Sequence, residues 1–358
     1  MSLLKTIAAP WTQDRPAEPK DAGLPSPVAK EPSRLPPRLW PLRRTKPLLG
    51  LDIGSHSIKA VVLMRRRGEI HLKEAALAET PTLALTQGVL TDPLLLSERL
   101  RSLRAMFHLR TTTAAVAAGG DRVYCQADQV RGRAGEDFVA LIEKTAQEVV
   151  PYPISNAAFD CVELSRSEDA ARRTLLWVSS APEQVDWLRQ AVTLAGMTAA
   201  VVDVEACALT NAFAYNYQPE PGEVNLLLHV GAREATIALV RGGTLLYSRG
   251  ATIALQRGSF QSPHLAVRIV REIDRHWDDL AERATPGLIG RIYLSGGPAR
   301  DPRLALAIGE QTGLAADVIN PFHRIHYAGS TEAGDIAASH SPAMTIAVGL
   351  ALRSFDDL

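Results

Sequence analysis

One local pattern occurs twice along the chain and restricts its fold more than any other feature. A continuous apolar run, LLGLDI (48–53), ends in a glycine turn and is followed by SIKAVVLM (57–64) and EIHLKEAALAE (69–79). The same order returns as VNLLLHV (224–230), a turn at Gly231, ATIALVR (235–241) and TLLYSRG (244–250). An unbroken apolar run of this length reads as a strand buried on both faces. Three such strands in close succession form an antiparallel meander. The copies lie too far apart for a solenoid period, so two related lobes facing a cleft are expected.

The segments between and after the copies alternate helix and strand. Residues 92–108 read as a helix with Asp92 as cap, Pro93 in the first turn, and Leu96, Leu100, Leu103 and Phe107 on one face. TTTAAVAA (111–118) and RVYCQADQ (122–129) read as strands around Gly119-Gly120, and 136–150 as a helix ended by Pro151 and Pro153. Strands follow near 157–164 and 174–180, then a helix over 182–196. AAVVDV (199–204) is a buried strand with the helix EACALTNAFAYN directly after it. One long helix is expected over 264–283, a strand at RIYLSGG (291–297), and helices over 302–313 and 342–354.

Composition narrows the function classes. Lys and Arg total 39 and Asp and Glu 39, which argues against a protein held to nucleic acid by phosphate contacts. No run approaches the length of a membrane span, and the first residues lack the apolar core of a secretory signal. Three cysteines without a CxxC exclude a disulfide scaffold or a zinc ribbon. Residues 1–46 hold nine Lys/Arg, four Asp/Glu and nine of the 23 prolines. Such a segment buries too little to offset its ordering entropy and is expected as a disordered basic tail. A cytoplasmic globular protein is the expected class.

Four turns carry candidate chemistry. In LDIGSHSIKAV, strand 48–53 delivers Asp52 to its end, where an acidic oxygen suits the water shell of Mg²⁺. Gly54 admits close backbone approach, Ser55, His56 and Ser57 offer amides and hydroxyls for phosphate oxygens, and Lys59 adds a positive charge. In LLHVGAREATIAL, Gly231 and Ala232 repeat the geometry, with His229 where the first copy has Asp52. In YLSGGPARDPRL, a strand ends in Gly296-Gly297, where a flat ring or ribose can lie against the backbone. In VVDVEACALTNAF, Asp203 and Glu205 stand between strand and helix, as a functional pair or as strand end and helix cap. The Walker A spacing GxxxxGK[ST] is absent, as are HExxH and GxSxG. A metal reading of His323 and His326 in NPFHRIH lacks a matching carboxylate.

Taken jointly, these turns resemble the nucleotide-binding set of the actin-like (actin/Hsp70/sugar kinase) ATPase superfamily over residues 48–354. Within it, LLGLDIGSHSIKAVVL, EVVPYPISNAAFDCVEL, VSSAPEQVDWLRQAVTLAGMTAAVVDVEACALTNAF, VREIDRHWDDL, IYLSGGPARDPRLALAIGEQTGL and MTIAVGLALRSF resemble the PilM family of type IV pilus assembly. The resemblance implies a two-lobed α/β fold with a small inserted α+β subdomain, as in the division protein FtsA. The first lobe would comprise 47–79 and 173–222 with closing helix 342–358, the insert 80–172, and the second lobe 223–341. It implies ATP or ADP with Mg²⁺ as ligand. Asp52 (holding the metal through water), Gly54, Ser55, Ser57, Lys59, Gly231 and Ala232 would sit at the phosphates. Gly296, Gly297, Glu272 and Arg275 would sit at the adenosine, and Asp203 and Glu205 in the connecting segment. Glu272 and Arg275 also read simply as an intrahelical pair.

The implied partners are the cytoplasmic N-terminus of a PilN-like single-span protein and other pilus assembly proteins. The implied location is the cytoplasm, peripheral at the inner membrane. Two features depart from the family pattern: the 46 residues ahead of the first strand, and His229 in place of an Asp. With that histidine, slow or absent hydrolysis is expected, a weak ATPase at most. The other classes are a nucleotide-free scaffold, a small-molecule kinase using Asp203 as base and an FtsA-like membrane-associated filament protein. The last needs a terminal amphipathic helix, which the ending SFDDL does not supply.

Overall fold

The computed structural model describes residues 47–86, 89–106, 111–133, 136–167, 171–253, 262–285 and 287–355; the expected tail 1–46 lies outside them. The first meander forms as expected from β1 (Leu49–Ile53), β2 (Ser57–Arg66) and β3 (Glu69–Glu79), with Asp52 opposite Lys59. Two short strands, β4 (Leu85–Thr86) and β5 (Val89–Leu90), lead to α1 (Pro93–Met106). There the amide of Leu95 donates to Asp92 Oδ1 at 2.9 Å, and Leu96, Leu100 and Leu103 are buried. Then come β6 (Thr113–Ala118), β7 (Val123–Arg131), α2 (Phe138–Gln147), β8 (Ala158–Arg166), β9 (Arg172–Ser180), α3 (Pro182–Leu194), β10 (Thr198–Val204) and α4 (Glu205–Tyr217).

The second meander is β11 (Val224–Val230), β12 (Glu234–Arg241) and β13 (Thr244–Thr252). It is followed by α5 (Ser262–Arg275), α6 (Trp277–Ala284), β14 (Ile289–Ser295), α7 (Pro302–Thr312), β15 (Ala315–Val318), β16 (His326–Tyr327), α8 (Thr331–His340) and α9 (Thr345–Leu352). The single helix expected over 264–283 is broken at His276. Its backbone leaves helical geometry at φ −109°, and its ring Nδ1 shares a 3.1 Å hydrogen bond with the hydroxyl of Tyr247. Strands β4, β5, β15 and β16 and helix α8 are additions to the sequence reading.

Two large sheets result, ordered β10-β6-β1-β2-β3-β16 and β15-β14-β11-β12-β13-β7-β9-β8. Each meander has a parallel strand beside its first member, β6 beside β1 and β14 beside β11, so the duplication in the sequence is a duplication in space. Sheet membership cuts across the limits expected for the insert. Strand β6, inside 80–172, lies between β1 and β10 in the first sheet, while β9, which that reading gives to the first lobe, pairs with β7 and β8. A small-residue apolar run such as TAAVAA declares a buried strand but not which sheet it joins.

Close packing fixes the first lobe. Helix α9 lies against β1 and α4, and glycines permit both approaches. A Cβ on Gly50 would stand 2.1 Å from the carbonyl oxygen of Ala347, and one on Gly349 1.8 Å from that of Ala208. The core around β1, β6 and β10 continues into Leu227, Ala238, Val240 and Leu245 of the second sheet, so the lobes share buried apolar surface.

Candidate functional site

The glycine turns at the ends of β1 and β11 open into one cavity of about 820 Å³. Asp52, Gly54, Ser55, Ser57 and Lys59 of the first turn line it, with Gly231 and Ala232 of the second, Gly297 after β14 and Glu205 at the start of α4. The turns close alike. Gly54 N–H donates to the carbonyl of Ser57 at 3.1 Å, and Gly231 N–H to that of Glu234 at 2.9 Å. A Cβ at Gly54 would meet Ser57 O and Lys59 Nζ at 3.1 Å, and one at Gly231 would meet Glu234 O at 2.9 Å. A side chain at Gly231 would thus force its turn to shift, and one at Gly54 would crowd the turn more mildly. Thr80 braces the first turn by donating its hydroxyl to the carbonyl of Gly54 at 2.6 Å.

Strand register explains the charged pair at the cavity floor. Asp52 and Lys59 are cross-strand partners, both buried, with Nζ 3.0 Å from Oδ2. His229 occupies the matching place on β11. Its Nδ1 shares a 2.9 Å hydrogen bond with Ser295 Oγ, and burial holds its pKa down to about 4, so the imidazole is neutral near pH 7. Glu205 lies close by and is half-buried. Its Oε2 accepts from Thr236 Oγ1 at 2.7 Å, and burial, then the neighbouring Asp52, push its pKa up to about 7.

Several wall residues were not legible as site residues. A Cβ on Gly119 would lie 2.2 Å from Glu205 Cδ, and Gln184 Nε2 donates to the carbonyl of Gly119 at 2.8 Å. Glu234, whose pKa burial raises, Trp187 and Arg300 also line the cavity. Gly119-Gly120 is visible in sequence as a turn; its contact with Glu205 depends on β6 lying beside β10.

Four expected site residues are not among those lining the cavity. Gly296, at φ +96°, supports the backbone: a Cβ there would be 2.0 Å from Val230 O, and its N–H donates to the carbonyl of Pro342 at 2.7 Å. Asp203 is buried, accepts from the amide of Val204 at 2.9 Å and pairs with Arg353 Nε at 3.4 Å, which removes it as a free base. Glu272 and Arg275 pair with each other on α5. His323 stacks on Tyr217 and His326 faces Glu69, and among the described residues no three His, Cys, Asp or Glu converge to hold a metal ion. Among the same residues no helix is long and apolar enough to cross a membrane.

A family model described as type IV pilus assembly protein PilM matches residues 50–254 and 262–355. Among solved structures, the PilM-PilN type IV pilus biogenesis complex is similar at a TM-score of 0.70 and 21% identity, covering 86% of this chain and 98% of that one. Ethanolamine utilization protein EutJ from Carboxydothermus hydrogenoformans (TM-score 0.46, 14% identity, 89% and 92% covered) is more distant. So is MreB5 of Spiroplasma citri bound to ADP (0.43, 10%, 85% and 95%). With its duplicated meander and shared cleft, the chain has the actin-like ATPase fold and belongs to the type IV pilus assembly protein PilM family.

Proposed function

We propose that the cavity binds ATP or ADP with Mg²⁺ and that the protein is a nucleotide-binding scaffold of type IV pilus assembly on the cytoplasmic face of the inner membrane. The observation that carries this reading is the meeting of both glycine turns, one from each sheet, over the buried Asp52–Lys59 pair in a single cavity. The residues fit the group. Lys59 and the turn amides and hydroxyls suit phosphate oxygens, and Asp52 can hold the metal's water shell. Bound Mg²⁺ would supply charge neutralisation at the phosphates. Gly297 faces open space, so a ring can lie against it; no atom stands within 4 Å of a Cβ built there. Calorimetry tests the reading: heat of binding is expected with ATP or ADP and Mg²⁺ and is lost in Gly297→Gln, which leaves the fold intact. Folded wild-type protein giving no heat at millimolar nucleotide refutes it.

Hydrolysis is proposed to be slow or absent. A neutral His229 brings no negative charge to the metal's water shell. The lost charge-assisted hydrogen bond is worth about 1.5–3 kcal/mol, roughly tenfold to over a hundredfold in rate. His229→Asp should raise turnover, whereas brisk wild-type turnover that falls in His229→Asp would make the histidine a participant. A small-molecule kinase is disfavoured because its candidate base, Asp203, is paired with Arg353.

The proposed partner is the cytoplasmic N-terminal peptide of a PilN-like single-span protein, docked on the first lobe and its insert. A solved relative is a PilM-PilN complex. Strand β8 ends its sheet and is half-buried over most of its length, which suits an added strand or an adjoining groove. Sheet membership favours an insert built from β7, α2, β8 and β9 rather than 80–172. Pull-down with such a peptide tests docking; no retention by folded protein overturns that part alone.

A further inference from the structure

At the pole of the first sheet opposite the cavity, β2 and β3 run on past β1. The β1–β2 ladder ends at Leu49–Val62, whereas β2–β3 pairing continues to Arg66–Glu69. The projecting ribbon closes through Arg67 and Gly68, at φ +52° and +89°, a turn whose twist matches that of its strands. Its tip presents Arg65, Arg66 and Arg67, all exposed, with Arg65 lying over the Phe355 ring. Arg324 stands nearby, over the ring of Tyr215, and the exposed Tyr327 lies beside β3. The chain arrives at β1 from this same pole, and the residues just before Pro47 include Arg43, Arg44 and Lys46. The ribbon tip also carries the acidic Glu69, which faces His71 and His326.

We propose that this arginine-tipped ribbon is a docking surface for an anionic lipid bilayer. Charges carried on a projecting tip suit the diffuse negative potential of a membrane surface more than the defined contour of an acidic protein. An exposed tyrosine beside them fits the headgroup layer. The surface is separate from the cavity, since Asp52 and Lys59 lie at the other end of β1 and β2. Each basic residue near an anionic leaflet strengthens association about fivefold.

Sedimentation of the full chain with phosphatidylcholine vesicles, with and without phosphatidylglycerol, tests the proposal. Binding is expected only with phosphatidylglycerol and should weaken as salt is raised. Arg66→Ala combined with Arg67→Asn, which keeps a residue tolerant of positive φ, should lower partitioning about 25-fold. Arg131→Ala with Arg133→Ala makes the same charge change at exposed positions of the insert and should leave partitioning unaltered. Circular dichroism checks that each variant is folded. Equal binding to both vesicle types overturns the proposal, as does an equal loss in the two variants. It also fails if the ribbon variant binds fully while deletion of 1–46 abolishes binding, or if the protein captures poly-glutamate but not the vesicles.

Discussion

Replacing Glu205 by Gln should stabilise the protein above neutral pH and leave it almost unchanged in acid. In the folded chain burial and the adjacent Asp52 push the Glu205 carboxyl up to about 7, against an ordinary value of 4.5. Below pH 4.5 the carboxyl is protonated in both folded and unfolded chains, and it has no effect on the balance. As pH rises, the unfolded chain releases its proton first, and stability falls until the folded carboxyl also ionises near pH 7; above that the loss is constant. A difference of about 2.5 pH units at 1.36 kcal/mol each gives about 3 kcal/mol. Glu205 is half-buried at a cavity wall, so solvent takes part of that penalty and about 2–3 kcal/mol remains. The Gln carbonyl can still accept from Thr236 Oγ1, so the substitution strands no donor. For a chain of this size the gain corresponds to about 4 °C in Tm at pH 8 and none near pH 4.5. Thermal unfolding of both proteins across that range is the assay. A gain of equal size at both ends, or a loss at pH 8, refutes the reasoning.

His229 works in the opposite direction. Its folded value of about 4 means stability is complete above 6.5 and is lost as pH falls from 6.5 towards 4, by about 3 kcal/mol. His229→Gln, able to keep a bond to Ser295, should flatten that acid limb in denaturant titrations. Gly349→Ala should cost about 3 kcal/mol, the upper end for overpacking, because its methyl has to displace the Ala208 carbonyl; a Tm within about 1 °C of wild type would contradict the packing of α9. Asp128→Ala should cost about 3 kcal/mol, measured by urea unfolding, since Trp177 Nε1, Gln126 Nε2 and Arg283 all bond to that carboxylate.

What the sequence disclosed was local. The apolar strands ending in Asp52 and His229, the turns at Gly54 and Gly231, and the Asp92 cap each depend on residues within a few positions, and each formed. Failures arose where a distant contact decides. TAAVAA could join either sheet, and it joins the first because β1 and β10 leave a place between them. Helix 264–283 is interrupted where Tyr247, from β13, engages His276 and Asp279. Asp203 could be read either as a functional acid or as a strand end, because Arg353, its partner, is far along the chain and arrives only when the last helix closes on the first lobe.

The paired glycines after β14 show why spacing alone could not divide site from scaffold. Gly296 and Gly297 are adjacent and identical in sequence, yet a Cβ at Gly296 would strike Val230 O at 2.0 Å while one at Gly297 meets nothing within 4 Å. The first glycine lets β14 close against the end of β11; the second leaves a bare face on the cavity. Gly119 and Gly120 divide their work differently. Gly119 makes room for the carboxyl of Glu205, and Gly120 brings its carbonyl within 2.0 Å of where a Cβ on Gly250 would lie. That second contact allows β7 to lie beside β13, where Cys125 faces Ser248 and Tyr124 faces Arg249. The same turn therefore borders the cavity on one side and seats the β7–β9 sheet on the second lobe on the other. A side chain at either position would displace a carboxyl from the cavity wall: Glu205 at 119, and Glu234, whose Oε2 lies 2.7 Å from a Cβ, at 120.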